Sequence, residues 1–400
     1  MVNKLTTFAF VPAFFILLMI PSSAFCQDNS YSTIDREWHG LNLHFFDRTE
    51  HGLADHPYFK AIKARIDGDF ACEITELNKA IGAMAGDSLQ DRLVKDTYSQ
   101  LLNYGLVEEA KAFSGRYQLE ADTMSLAFKQ VDYPEVSIAM PDNRVELPFD
   151  QFYFRATVNG TDTVTVFFDT GAPGVAISQE LVDRYGWQTD TLYSGTSSLP
   201  ALGMTFKNYP VLIPELKIGS MTIKNLFAKY SKLTEEEEST LKSKGLDKHD
   251  ILIGLNVFRD LIDGVVFDYP KREIRFIKEL EADSAPPNFC FVGETPAISY
   301  RWNGKKENAY LDTGSPRHVM PKRQLAEGKA EFAREAAYGN FTYRIYEAKY
   351  DQVLNLKNAV FETADYGFSV NPDFAIRTLF GSFKEHVLFF DLRNRRVSLK

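Results

Sequence analysis

Cysteine is nearly absent: the 400 residues include three, Cys26, Cys72 and Cys290. So few thiols exclude a disulfide framework, and apolar cores must hold the chain. Basic charge is also in short supply. Forty-five Lys and Arg face 54 Asp and Glu, the net charge is −9, and no extended basic stretch occurs. A nucleic-acid partner, whose phosphates demand a basic face, is not expected. Beyond residue 20 no apolar run approaches the ~20 residues needed to cross a bilayer, so no transmembrane segment is expected after the leader. The sequence lacks a His-Glu-x-x-His pair, a Gly-x-Ser-x-Gly elbow, a phosphate loop and a dinucleotide fingerprint. Neither a cofactor nor a metal is therefore expected.

The first residues carry an export address. Lys4 precedes an apolar stretch from Phe8 to Ile20, followed by Pro21-Ser22-Ser23-Ala24, with small residues where a signal peptidase cuts. Residues 1–26 read as a signal peptide, the mature chain beginning near Phe25 or Gln27, and the product as periplasmic or secreted. A lipid anchor on Cys26 fits less well, because Phe25 stands where a small residue is expected. Cys72 and Cys290 then remain, either paired or as separate small apolar residues.

With 44% apolar residues the chain can bury more than one core, and its periodicity changes along its length. From Pro57 to Phe113 the apolar positions are helical in spacing: Phe59, Ile62 and Ile66, then Ile74, Leu77 and Ile81, then Leu93, Tyr98 and Leu101. This predicts a helical N-terminal domain over residues 27–138, with turns at Gly68 and Gly105 between helices. The pattern loosely resembles tetratricopeptide-type helix pairs, which either support a neighbouring domain or bind a protein partner. His39, His44, His51 and His56 gather there beside Asp47 and Asp55; without tight ligand spacing they read as solvated loop residues.

After Val136 the period becomes that of strands. Two segments share three landmarks in one order. Each begins with a strand and an Asn-Gly turn, at Asn159-Gly160 and Asn303-Gly304, and a second strand then runs into Asp-Thr-Gly, at 169–171 and 312–314. An apolar pair and glycine follow, Leu252-Ile253-Gly254 and Leu379-Phe380-Gly381, and each segment closes on a strand–turn–strand, from Val265 and from Val387. The linking Glu281–Pro287 is small, polar and proline-bearing. The acidic run Glu235 to Glu238 reads as a solvated helix inserted before Gly254, and His318 as a cleft or surface residue. Asn159-Gly160-Thr161 also fits a glycosylation acceptor, although the turn alone accounts for it.

Two carboxylates delivered identically, each at the end of an apolar strand, can be made to face each other. Held about 3 Å apart, they cannot both ionise cheaply and so share a proton, one serving as base and the other as acid. Gly171 and Gly314 let the backbone pass close to them without a Cβ.

Over residues 145–400 these motifs resemble the pepsin and retropepsin type of aspartic proteases. The resemblance implies a mainly β, bilobal acid protease fold, with lobes at 139–282 and 283–400 preceded by the small α-helical domain. It implies that Asp169 and Asp312 form a catalytic dyad that activates water to cut a peptide or protein substrate, with no covalent intermediate and no metal. By the same resemblance Thr170 and Thr313 hydrogen-bond between the halves, and Ser315 donates to Asp312, as Ala172 cannot do for Asp169. A β-hairpin flap is implied between the first turn and Gly254, with Leu192–Ser198 its most flexible part and Tyr193 a flap candidate that also reads as an ordinary core or surface tyrosine. The fold also serves as a binding module, so a catalytically idle peptide-binding or scaffold protein is the alternative.

Overall fold

The computed structural model describes residues 29–399 except 40–41, 49–51, 68, 85–87, 104–106, 120–133, 140–142, 147–151, 190–194, 200–203, 244–248, 285–286, 293, 303–304, 315–317, 320–329, 339–340, 349–351, 357–358, 364–365, 371–377 and 380–386. Residues 1–28 with Cys26 and Gln27, the flap candidate Tyr193 and Ser315 lie outside the described residues.

The N-terminal region is helical: α1 (Asn29–His39), α2 (Pro57–Asp67), α3 (Phe70–Ala83), α4 (Ser88–Asn103) and α5 (Val107–Tyr117). Local chemistry sets the ends. Pro57 opens α2, where its missing N–H costs nothing, and the Asp69 carboxylate caps α3 by accepting from the Cys72 amide at 3.0 Å. Gly68 and Gly105, where the periodicity predicts turns, lie outside the described residues. Helix α1 was not foreseen: its Tyr31, Ile34 and Trp38 are buried, so the helical core begins well before Pro57. His56 consequently differs from the solvated reading, since its ring packs edge-on against Tyr31 with centroids 4.1 Å apart. His39 ends α1 and His44 lies in a 3-10 turn at Leu43–Asp47. Among the described residues no three His, Cys, Asp or Glu side chains are grouped to hold a metal ion, and no helix is long and apolar enough to cross a membrane.

The rest is mainly β. In the first sheet β3 (Tyr153–Val158) and β4 (Asp162–Phe168) form a hairpin whose turn places Asn159 and Gly160 at φ of 50° and 76°, the left-handed region those residue types tolerate. From β4 the neighbours are β9 (Ile251–Ile253), β5 (Val175–Ile177), β8 (Met221–Ser231) and β7 (Met204–Ile218), and β7 pairs back with β3. The sheet is thus a closed barrel filled by alternate residues such as Val164, Val166, Phe168, Ile213 and Ile223. Strand β1 (Glu135–Ile138) extends it beside β8, and β6 (Gly195–Leu199) beside β7.

A second sheet repeats that order. Its strands β13 (Thr295–Trp302), β14 (Lys305–Leu311), β21 (Thr378–Leu379), β15 (His318–Val319), β20 (Tyr366–Val370) and β17 (Phe341–Ala348) are neighbours in that sequence. The sense of pairing matches as well: β14 is parallel to β21 as β4 is to β9, and β15 is parallel to β20 as β5 is to β8. Strands β12 (Phe289–Val292) and β16 (Ala330–Tyr338) flank it, and β18 (Gln352–Leu356) pairs with β19 (Ala359–Thr363) separately. A third sheet ties the two segments together. Its order is β2 (Asn143–Glu146), β11 (Glu273–Ile277), β10 (Gly264–Asp268), β22 (Val387–Asp391) and β23 (Arg396–Leu399), so the two closing hairpins pair with each other through β10 and β22. Two further helices lie in the first segment. Helix α6 (Gln179–Tyr185) is capped by Ser178 and ends at Gly186 in the left-handed region, whereas α7 (Glu235–Ser243) buries no residue and starts with a Thr234–Glu237 capping box.

The helices share a core with the second segment: Trp38, Phe46, Ile62 and Leu77 cluster with Cys290, Val292 and Ala297. Cys72 and Cys290 are both free thiols, and burial pushes the Cys290 thiol up to about 12. Arg395, from the turn before β23, seals the junction. Its guanidinium lies 4.3 Å from the Phe70 ring centroid and donates to the Arg65 carbonyl at 2.5 Å, while Arg65 pairs with the fully buried Glu73 at 2.7 Å. Replacing Arg395 by Met should lower the unfolding free energy by about 2 kcal/mol in a urea titration, because a cation–π contact and a buried hydrogen bond are lost together.

Candidate active site

Each strand that carries an Asp-Thr-Gly motif is fixed by its apolar face. In β4, Val164, Val166 and Phe168 fill the barrel and the chain leaves the strand at Asp169, whose amide donates to the Ile253 carbonyl of β9 at 3.0 Å. In β14, Ala309 and Leu311 are buried and Asp312 follows. The parallel neighbour β9 carries Leu252 and Ile253 of the first apolar-apolar-glycine landmark, and β21 carries Leu379, the first residue of the second, whose Phe380 and Gly381 lie outside the described residues.

The two loops meet face to face. The Thr170 hydroxyl accepts from the Thr313 amide at 2.9 Å and donates to the Leu311 carbonyl at 2.7 Å. The Thr313 hydroxyl mirrors it, accepting from the Thr170 amide at 2.9 Å and donating to the Phe168 carbonyl at 3.1 Å. Both threonines are buried, so each bond is made where water is no alternative partner. Asp169 Oδ1 accepts from the amides of Gly171 (2.9 Å) and Gly314 (3.1 Å), and Asp312 Oδ1 accepts from Gly314 at 2.8 Å. A Cβ on Gly171 would overlap the Asp312 carboxylate, and one on Gly314 would overlap that of Asp169. The absence of a side chain at both positions is what permits the two carboxyls to meet.

The electrostatic consequence is a held proton. Burial pushes the Asp169 carboxyl up to about 7, and the charge of Asp312 and a hydrogen bond between the two side chains add to the effect. The Gly171 and Gly314 amides pull in the opposite direction. Near neutral pH the pair can therefore keep one proton between two carboxyls, the state that lets one side accept a proton while the other donates.

Six of the residues singled out from the sequence, Asp169, Thr170, Gly171, Asp312, Thr313 and Gly314, thus come together in one place. Ala172 is buried and donates its amide to the Asp169 carbonyl at 3.0 Å, closing the turn. Part of the flap segment lies in a β-hairpin. Gly195–Ser198, read as part of its most flexible stretch, lie in β6 and pair with residues 205–208 of β7, because the long β7 strand offers them a free edge. Two residues not singled out also hold the first loop. Asn256 Oδ1 accepts from the Gly174 amide at 3.1 Å, and the Thr295 hydroxyl donates to the Gly171 carbonyl at 3.1 Å. Asn256 had a sequence signal, being two residues beyond Gly254, whereas Thr295 stands in no motif. Gly254 itself packs so closely that a Cβ there would overlap the Ala172 carbonyl.

Residues 154–257 match the aspartyl protease family model. The matched stretch holds Asp169-Thr170-Gly171 and the Leu252-Ile253-Gly254 landmark and ends before Asp312. It supports a hydrolase of the protease kind in general, with peptides as substrates. No curated protein matches this chain.

Two outcomes follow from this geometry. Thr170→Ala leaves the Thr313 amide and the Leu311 carbonyl without their hydroxyl partner, so unfolding in urea should show a loss of about 3 kcal/mol, largely restored in Thr170→Ser. The raised Asp169 carboxyl makes its contribution to stability largest below its unfolded value of 3.8, and that contribution is lost as pH rises through about 7. Compared with Asp169→Asn, the wild type should therefore lose roughly 4 kcal/mol of unfolding free energy between about pH 4 and about pH 8.

Proposed function

We propose that the protein is an exported aspartic endopeptidase whose dyad is Asp169 and Asp312. The observation that carries this reading is the meeting of two carboxyls across reciprocal threonine bonds, with Asp169 held up to about 7. A water bound between them loses a proton to the ionised carboxyl as it attacks the scissile carbonyl; the protonated one hydrogen-bonds the carbonyl oxygen. The resulting tetrahedral centre collapses when a proton reaches the leaving nitrogen. Base and acid are roles of the pair, and the amides on Asp169 Oδ1 stabilise whichever microstate leaves that oxygen charged.

The remaining assignments complete the proposal. The repeated strand order supports two lobes, 139–282 and 283–400, with the dyad at their junction. The β6–β7 hairpin, next to Tyr193, is the flap candidate that covers bound peptide, and Ser315 supports Asp312 from outside. The helices of residues 27–138, similar to tetratricopeptide pairs in their hairpin arrangement, support the second lobe. Lys4, the apolar stretch to Ile20 and the small residues before Cys26 favour a periplasmic or secreted product.

The test is cleavage of a mixed peptide library by the chain from Gln27 onward, read by mass spectrometry beside Asp169→Asn and Asp312→Asn. Either substitution should abolish cleavage with folding retained, and wild-type turnover should decline as pH rises through about 7, when the shared proton leaves. A folded wild type that cuts nothing between mildly acidic and neutral pH would favour the binding-module alternative.

A further inference from the structure

Within the peptidase reading, we propose that Thr295 is a positioning residue for the dyad: it anchors Gly171, the residue that spaces the two carboxyls, to the strand pair that carries Asp312.

Thr295 opens β13, and β13 pairs with β14 in the register Ala297↔Tyr310, so Thr295 and Asp312 ride on one hairpin. Its hydroxyl crosses to the other half and donates to the Gly171 carbonyl at 3.1 Å. Gly171 is the point where the first loop touches the second carboxyl, since a Cβ there would overlap Asp312. Its amide also donates to Asp169 Oδ1 at 2.9 Å. One residue therefore contacts both carboxyl groups. Glycine has the widest backbone freedom of any residue, and nothing in its own side chain restrains it. The threonine pair holds the residue before it, Thr170, and the Ala172 amide holds the residue after it. The Gly171 carbonyl takes its restraint from Thr295, which pulls the first loop towards the hairpin that bears the opposing aspartate.

The consequence is geometric. With the hydroxyl gone, Gly171 can rotate about its own bonds, the amide that serves Asp169 shifts, and the separation of the carboxyls is no longer fixed. Small displacements at reacting groups cost rate more than affinity, because the substrate's remaining contacts are untouched.

The experiment compares the wild type, Thr295→Val and Thr295→Ser by library-derived peptide kinetics and by NMR titration of the aspartate side-chain carboxyls. Thr295→Val should lower kcat about tenfold with KM changed by less than about twofold, the equivalent of a lost hydrogen bond near 1.4 kcal/mol. It should also displace the titration of the dyad, and Thr295→Ser should restore both. Equal activity in Thr295→Val, equal losses in Val and Ser, or an undisturbed carboxyl titration would overturn the proposal. Failure of the peptidase reading shows differently, as a wild type that cuts nothing. The carboxyl titration then still decides whether Thr295 positions the pair.

Discussion

Everything at the centre of this molecule depends on two carboxyls being brought closer than their charges favour. Repulsion and lost hydration oppose the approach, and among the described residues the groups that meet the two carboxyls and their loops are neutral hydroxyls and amides. The buried hydroxyls of Thr170 and Thr313 each complete one amide and one carbonyl of the opposite strand end, so neither loop can withdraw without leaving buried polar groups unpaired. The amides of Gly171 and Gly314 then converge on the carboxylate oxygens. A basic residue at that place would stabilise two anions and remove the reason for sharing a proton. The arrangement instead leaves proton sharing as the cheapest way to relieve the repulsion.

The sheets explain how such a contact is reached from opposite ends of the sequence. Each carboxyl stands at the end of a strand whose inward residues are locked in an apolar core, and each strand has a parallel neighbour beside it, β9 or β21. Parallel pairing puts the ends of β4 and β9 together, so Gly254 arrives against the first loop at a distance that only glycine allows. The third sheet, through β10 and β22, fixes the separation of the two assemblies from below with the buried Val265, Phe267, Leu388 and Phe390. Placement of the loops is thus set by apolar packing, and the hydrogen bonds between the threonines set only the last adjustment.

Much of this was legible in the sequence because it rests on short-range chemistry repeated in two places. Asn159-Gly160 announces its hairpin by the backbone conformation it tolerates, and the apolar lead-ins to Asp169 and Asp312 announce strands by their alternation. The glycines at 171 and 314 could be read from size alone. What escaped was of two kinds. Helix α1 has a polar sequence whose few apolar residues, Tyr31, Ile34 and Trp38, signal a helix only once a partner surface is known. Thr295 and Arg395 act on residues 124 and 330 positions away, and no local pattern marks either one. The strand form of Gly195–Ser198 was likewise not marked in their composition, since their partner is the edge of β7.

The place of the helices follows from the same distinction between shared cores and surface contacts. A module that merely docks on another keeps its own apolar interior and meets its neighbour through polar groups. Here Cys290, Val292 and Ala297 of the second segment lie in the helices' own cluster, and Arg395 enters it with its carbonyl fastened to the amides of Asn288 and Phe289. Strand β12, which would otherwise be the open edge of the second sheet, is the strand beneath this cluster. Packing of this kind covers the strand's apolar face, and withdrawing the helices would expose it. Helices bound through a common interior act as part of the second segment's wall.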